Sequence, residues 1–144
     1  MASVDPIFNN AAMIVKSGNA SLVPSTKALN NAKYTMLYFS AHWCPPCRSF
    51  TPVLSKWYNE HKSLNMEIVF VSADNSEKDF THYYETMPWL SIPYENRDLV
   101  ETLISKYEVT GFPSLLVVDS ATGDIVSRDA RSGVMNKPEG FPWF

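Results

Sequence analysis

The sequence predicts an α/β protein with a central mixed β-sheet flanked by helices on both faces. Three observations carry that prediction. Tyr34–Phe39, Glu67–Ser72 and Ser114–Val118 are short runs of strand-forming, largely apolar residues, and such strands belong inside a sheet covered on both sides. The segments between them carry apolar residues at helical spacing, which is the alternation of a βαβ unit. After the third run, a turn from Asp119 to Asp124 that contains Gly123 leads into Ile125-Val126, so the sheet ends in an antiparallel hairpin.

Taken in order, Asp5-Pro6 reads as an N-cap followed by proline in the first helical position. Ile7, Phe8, Ala11, Ala12, Ile14 and Val15 then predict a short amphipathic helix that stops at Gly18. A loop with Pro24 and two asparagine-rich patches leads to the first strand. Phe50, Val53, Leu54, Trp57, Tyr58 and His61 follow i, i+3, i+4, i+7, i+8, i+11 spacing, the stripe of a helix lying on a core. Pro52 falls inside that stripe and predicts a bend, because proline removes an intrahelical bond and clashes with the preceding turn. Phe80, Tyr83, Tyr84 and Met87 mark a helix ending at Pro88, and Val100, Leu103, Ile104 and Tyr107 mark another ending before Gly111-Phe112-Pro113. Pro138, Gly140 and Pro142 close the chain as a short helix and a wrapped tail.

Composition narrows the class. At 144 residues, 45% of them hydrophobic and 19% charged, the chain is expected to form one globular domain over residues 1–144. No apolar run approaches the roughly 18 residues needed to span a bilayer. Met1 to Phe8 shows no basic stretch followed by an apolar one, so the expected address is cytoplasmic. A net charge of −3 with scattered lysines and arginines offers no footprint for a phosphate backbone, so nucleic acid is not an expected partner.

Both cysteines of the chain lie in Trp43-Cys44-Pro45-Pro46-Cys47. With Cys44 as N-cap, Pro45 and Pro46 occupy the first two helical positions and Cys47 the third. Neither proline has an N–H, so the Cys47 N–H is the donor left to face the Cys44 sulfur. That bond and the positive end of the helix both favour a Cys44 thiolate. The i, i+3 spacing puts Cys47 on the same helical face, within disulfide reach. An exposed Cys44 would then attack a substrate disulfide, and a more buried Cys47 would resolve the mixed disulfide. A zinc half-site is the competing reading, but zinc wants two further ligands at matched spacing. There is no second Cys-x-x-Cys, and His42, His61 and His82 are dispersed. No metal or cofactor is expected beyond the redox-active Cys44–Cys47 disulfide itself.

Tyr38-Phe39-Ser40-Ala41, Trp43-Cys44-Pro45-Pro46-Cys47-Arg48, Phe50-Thr51-Pro52, Met87-Pro88-Trp89-Leu90 and Phe141-Pro142-Trp143 together resemble the thioredoxin superfamily, and within it the tryparedoxin and nucleoredoxin group. The resemblance implies a thioredoxin fold with Cys44 as nucleophile and Cys47 as resolver. It also implies a cis peptide bond at Pro113, which the base rate of about 5% for X-Pro bonds would not by itself justify. A substrate-binding surface of Trp43, Pro45, Pro46, Phe112 and Pro113 comes with it, and Arg131 matches an arginine that could hold a carboxylate of a glutathione-type substrate. The implied role is a monomeric oxidoreductase that passes electrons from a low-molecular-weight dithiol, of trypanothione or glutathione type, to protein disulfides such as those of peroxiredoxins.

Several positions depart from the tryparedoxin pattern. Tyr38 stands where thioredoxins proper carry a buried aspartate, so proton transfer to Cys47 needs another route. His42, Ala73-Asp74-Asn75 and Phe112-Pro113-Ser114 replace a serine, Trp-Asp-Glu and Ile-Pro-Thr. His42 would favour a nearby thiolate when protonated. Ser72-Ala73-Asp74 is closer to nucleoredoxin, whereas Ile92-Pro93, Asn96-Arg97 and Ala130-Arg131 are closer to tryparedoxin. The alternatives are therefore a nucleoredoxin-like protein reduced by a flavoprotein thioredoxin reductase, and a redox-switched module that binds partners through Trp43, Trp89 and Phe112.

Overall fold

The three interior runs became adjacent strands at the centre of the sheet. The structure, a computed structural model, describes residues 5–16 and 21–144. Its elements are β1 (Ala12–Val15), β2 (Ser21–Pro24), α1 (Ser25–Ala28), β3 (Tyr34–Ser40), α2 (Pro45–His61), β4 (Met66–Ser72), α3 (Glu77–Tyr84), β5 (Leu90–Ser91), α4 (Arg97–Lys106), β6 (Ser114–Asp119), β7 (Ile125–Ser127) and α5 (Ala130–Asn136). The sheet order is β2-β1-β5-β4-β3-β6-β7. β3 pairs parallel with β4 and antiparallel with β6, and β6 turns back antiparallel into β7, so the sheet is mixed as expected.

Side-chain alternation along the central strands sorts the core into two layers. Met36, Tyr38, Ile68, Phe70, Leu115 and Val117 face α2, α3 and α5, whose Phe50, Leu54, Trp57, Phe80, Tyr84 and Val134 pack on them. Leu37, Phe39, Val69, Val71, Leu116 and Val118 face Val100, Leu103 and Tyr107 of the α4 segment, together with Ile7 and Phe8. Helices cover both faces, which is why these strands read as continuous apolar runs.

The N-terminal helix is corrected. Asp5 does cap a turn, its carboxylate accepting from the Ile7 and Phe8 N–H groups at 3.0 Å each. The turn stops there because Asn9 and Asn10 take φ values of 52° and 63°, left-handed geometry that a right-handed helix cannot pass through. Residues 12–15 then form β1, paired antiparallel with β2, where a loop had been expected around Pro24. The predicted stop at Gly18 and the first four residues of the Met1 to Phe8 stretch lie outside the described residues. β5, only two residues long, and α1 were also not expected.

α2 begins directly after Cys44 and runs through Pro52 without ending there. Its buried face differs from the expected stripe in one respect. Val53 is 42% exposed, while Cys47 and Thr51 are buried beside Phe50, Leu54, Trp57 and Tyr58. At the far end of α2, the tail folds back: Trp57 Nε1 donates to the Pro138 carbonyl at 2.8 Å, and the Phe141 and Trp143 rings close on Trp57. No helix among the described residues is long and apolar enough to cross a membrane.

Candidate active site

β3 and β4 are parallel, so the loops that follow them leave the same edge of the sheet. Residues 41–44, after β3, lead into α2; residues 73–75, after β4, lie against them. The two loops are tied together by backbone and side-chain bonds. The Ala73 N–H donates to the Ser40 carbonyl at 2.9 Å, and the His42 N–H donates to Asp74 Oδ1 at 2.7 Å. Asp74, 4% exposed, is itself held by the Ser72 hydroxyl at 2.7 Å. Nothing in the sequence marked Asp74 as a clamp on the cysteine loop, because an aspartate after a strand ordinarily reads as a solvated turn residue.

Cys44 is the N-cap of α2, with prolines in the first two helical positions, and its sulfur accepts from the Cys47 N–H at 3.3 Å. That is the donor the sequence singled out. The two cysteines are joined as a disulfide with Cα atoms 5.2 Å apart. Cys47 is fully buried, and Cys44, expected to be exposed, is 5% exposed. The correction has a simple cause: Ala41, Ala73 and Phe112 pack around the sulfur pair, and the Phe112 carbonyl oxygen approaches Cys44 Sγ to 3.6 Å. Cys44 still has the more open position of the two.

The Phe112-Pro113 bond is cis, in agreement with the resemblance. Trp43 is half exposed, its indole N–H donating to the Ala73 carbonyl at 2.9 Å while its ring stands edge-on to Phe112 at 5.9 Å. Pro45 and Pro46 are exposed beside it. Trp43, Pro45, Pro46 and Phe112 thus line an open apolar rim around Cys44, with Pro113 buried behind it.

Arg131, exposed on the first turn of α5, sets its guanidinium 5.8 Å over the ring of Phe50, one turn beyond Cys47. It stands on the flank of the motif helix rather than against the sulfurs. The His42 ring turns toward His82 and Tyr83, with centroids 5.3 and 5.8 Å away. Tyr38, at the position of the missing aspartate, is fully buried, and burial pushes its phenol pKa well up. Its hydroxyl meets Thr51, which also meets Tyr83, and Tyr83 meets Ser40. The sequence does not mark Thr51 and Tyr83 as a unit. Each lies in a helix whose evident signal is the apolar period, although Thr51 stands one i+4 step after Cys47 and so shares its face.

The thioredoxin-like family matches residues 31–125. The tryparedoxin of Trypanosoma brucei brucei is 42% identical over 134 residues, covering 91% of this chain and 90% of that protein. The nucleoredoxin of Danio rerio is 45% identical over 114 residues, 76% of this chain but 27% of the nucleoredoxin, so the chain spans about a quarter of that relative. Among solved structures, tryparedoxin II complexed with glutathionylspermidine superposes with a TM-score of 0.83 at 36% identity, covering 93% of this chain and 92% of that one.

Proposed function

The chain belongs to the thioredoxin-like family, in the tryparedoxin and nucleoredoxin group, and on that footing we propose that it relays electrons from a low-molecular-weight dithiol to protein disulfides through Cys44 and Cys47. It is a thiol–disulfide oxidoreductase. The observation that carries the assignment of roles is the Cys47 N–H held 3.3 Å from Cys44 Sγ at the start of α2. A helix N-terminus and a directed N–H stabilise negative charge on one sulfur, which makes Cys44 the better nucleophile and the better leaving group.

The exchange balances in two halves. A thiolate of the small dithiol attacks Cys44 Sγ, the Cys44–Cys47 bond breaks, and Cys47 leaves as a thiolate that takes a proton. The second thiol of the donor attacks the mixed disulfide, releasing Cys44 as a thiolate and leaving the donor oxidised. Cys44 then attacks a protein disulfide, one target sulfur leaves, and Cys47 displaces the other while the intramolecular disulfide re-forms. Two electrons pass through in each half, with no cofactor beyond the disulfide.

A donor of trypanothione or glutathione type is supported by the similarity to the tryparedoxin II that was solved with glutathionylspermidine. Arg131 would hold a carboxylate of that donor, and the rim of Trp43, Pro45, Pro46 and Phe112, backed by Pro113, would receive both donor and target. The targets are peroxiredoxin-type disulfides, and the protein works as a cytoplasmic monomer of one domain.

The second reading, reduction by a flavoprotein reductase, is favoured by the Ser72-Ala73-Asp74 run and the 45% identity to nucleoredoxin. The two separate in one assay. Oxidised protein is incubated with NADPH and either trypanothione plus trypanothione reductase or thioredoxin reductase. Fast NADPH consumption in the first mixture is expected; consumption in the second alone would overturn the small-dithiol assignment.

A further inference from the structure

Four hydroxyls lie sealed between the sheet and α2, and the thiol–disulfide exchange uses none of them. Ser40, Tyr38, Thr51 and Tyr83 are each at most 3% exposed. Ser40 Oγ is 2.6 Å from the Tyr83 hydroxyl, which is 2.6 Å from Thr51 Oγ1; the Tyr38 hydroxyl is 2.7 Å from the same Thr51 oxygen. Thr51 Oγ1 lies 3.0 Å and the Tyr38 hydroxyl 3.4 Å from the carbonyl oxygen of Cys47.

The Cys47 carbonyl fixes one end of the cluster: it can only accept, so Thr51 and Tyr38 donate to it. Between the hydroxyls either oxygen can donate, and Ser40 also stands near the Tyr38 hydroxyl, so the four form a closed cluster around that anchor. Buried, mutually bonded hydroxyls polarise one another, which strengthens their hold on the carbonyl. Burial keeps the Tyr38 phenol protonated, so the cluster stays neutral where a buried carboxylate would titrate.

The cluster also stands where α2 is weakest. Pro52 follows Thr51 and has no N–H to give to the Arg48 carbonyl, so the backbone ladder is interrupted just after the turn that carries Cys47. Side-chain bonds from β3 and α3 hold that turn from outside the helix instead.

We infer that Tyr38, Thr51, Tyr83 and Ser40 are positioning residues for the resolving step. By gripping the Cys47 carbonyl they hold the Cys47 sulfur in line with Cys44, and so accelerate closure of the disulfide without touching the first attack. The inference rests on the dithiol chemistry proposed above.

The test separates the two steps with oxidised glutathione as the probe. The Cys44 thiolate attacks it, one glutathione thiolate leaves, and Cys47 then closes on Cys44 and expels the second. Rapid-quench mass spectrometry follows the glutathionylated intermediate and its closure, and iodoacetamide gives the reactivity of Cys44 alone. Thr51→Val, which keeps shape and removes the hub, is expected to close about tenfold more slowly, with Cys44 alkylation within about twofold of wild type. Thr51→Ser is expected to restore closure. Closure at the wild-type rate in Thr51→Val, no rescue by Thr51→Ser, or an equal slowing of both steps would overturn the inference. Should Thr51→Val not fold, Tyr83→Phe severs two links while keeping its ring against Phe70, and is expected to slow closure with Cys44 alkylation unchanged; closure at the wild-type rate, or an equal slowing of both steps, would overturn the inference. A wild-type protein that forms no Cys44–Cys47 disulfide with the probe would instead overturn the redox reading itself.

Discussion

The indole N–H of Trp43 donates to the backbone carbonyl of Ala73, which joins the loop that carries Cys44 to the loop that follows β4. The bond holds a large aromatic residue half out of the protein, beside the sulfur pair and edge-on to Phe112. A fixed, exposed aromatic next to the sulfur pair fits the proposed docking role, since little conformational entropy remains to be lost on docking. Trp43→Ala is expected to raise KM for a protein disulfide about tenfold and to leave alkylation of Cys44 by a small reagent within about twofold. Steady-state kinetics with one protein substrate, beside iodoacetamide rates, make the comparison.

The unequal positions of the cysteines predict unequal traps. Cys47→Ser removes the resolving sulfur and is expected to accumulate a mixed disulfide through Cys44 with a disulfide substrate. Cys44→Ser leaves a fully buried Cys47 and is expected to trap little. Non-reducing electrophoresis with mass spectrometry of the adducts reads both. Partner binding that persists in the double Cys44→Ser, Cys47→Ser variant would favour the redox-switched binding module instead, with Trp43 and Phe112 but not Trp89 at its surface, because Trp89 is buried in the core.

Glu67 makes a prediction about pH. Burial raises its carboxyl pKa, against the opposing pull of the Tyr58 hydroxyl and the Ile68 N–H. A carboxyl raised on folding contributes its full stability below its ordinary pKa of about 4.3, and loses it as pH rises through the higher folded value. Both hydrogen bonds end on the same oxygen, at 2.7 and 2.9 Å, so Glu67→Gln retains both and removes only the charge. The variant is expected to melt roughly 2–4 °C higher than wild type near pH 7 and to match it near pH 4. Thermal unfolding across that range checks the sign.

Gly133 packs against the tail. A Cβ there would lie 2.5 Å from the Trp143 ring, whereas one at Gly111 would meet nothing within 4 Å. Gly133→Ala is expected to cost about 1–3 kcal/mol by forcing Trp143 off its seat. Gly111→Ala is expected to be near neutral. Denaturant melts of the pair measure the contrast.

What could be read in the sequence followed burial. β3, β4 and β6 were legible because strands covered on both faces have no polar alternation to blur them. α3 and α4 were legible because their apolar residues recur at helical spacing. The N-terminal hairpin was not: Ile7 to Val15 fits either period over so short a span, and two asparagines in left-handed conformation decided it. β5 is too short to carry a pattern. At the site, the capping role of Cys44 followed from the absence of N–H groups at Pro45 and Pro46, which is local information. The enclosure of Cys44 by Ala41, Ala73 and Phe112 depends on three separate segments and left no local trace. The hydroxyls of Ser40, Thr51 and Tyr83 were invisible for the same reason, since a hydroxyl in sequence reads as surface until the fold buries it.

The measurement that bears most directly on Cys44 and Cys47 is the pH dependence of their alkylation in the reduced protein, site by site by mass spectrometry. The N-cap geometry predicts that Cys44 reacts with iodoacetamide well below the free-cysteine pKa of about 8.5, while Cys47 stays protected throughout. Equal reactivity of the two cysteines, or Cys44 titrating as a free thiol, would contradict the account.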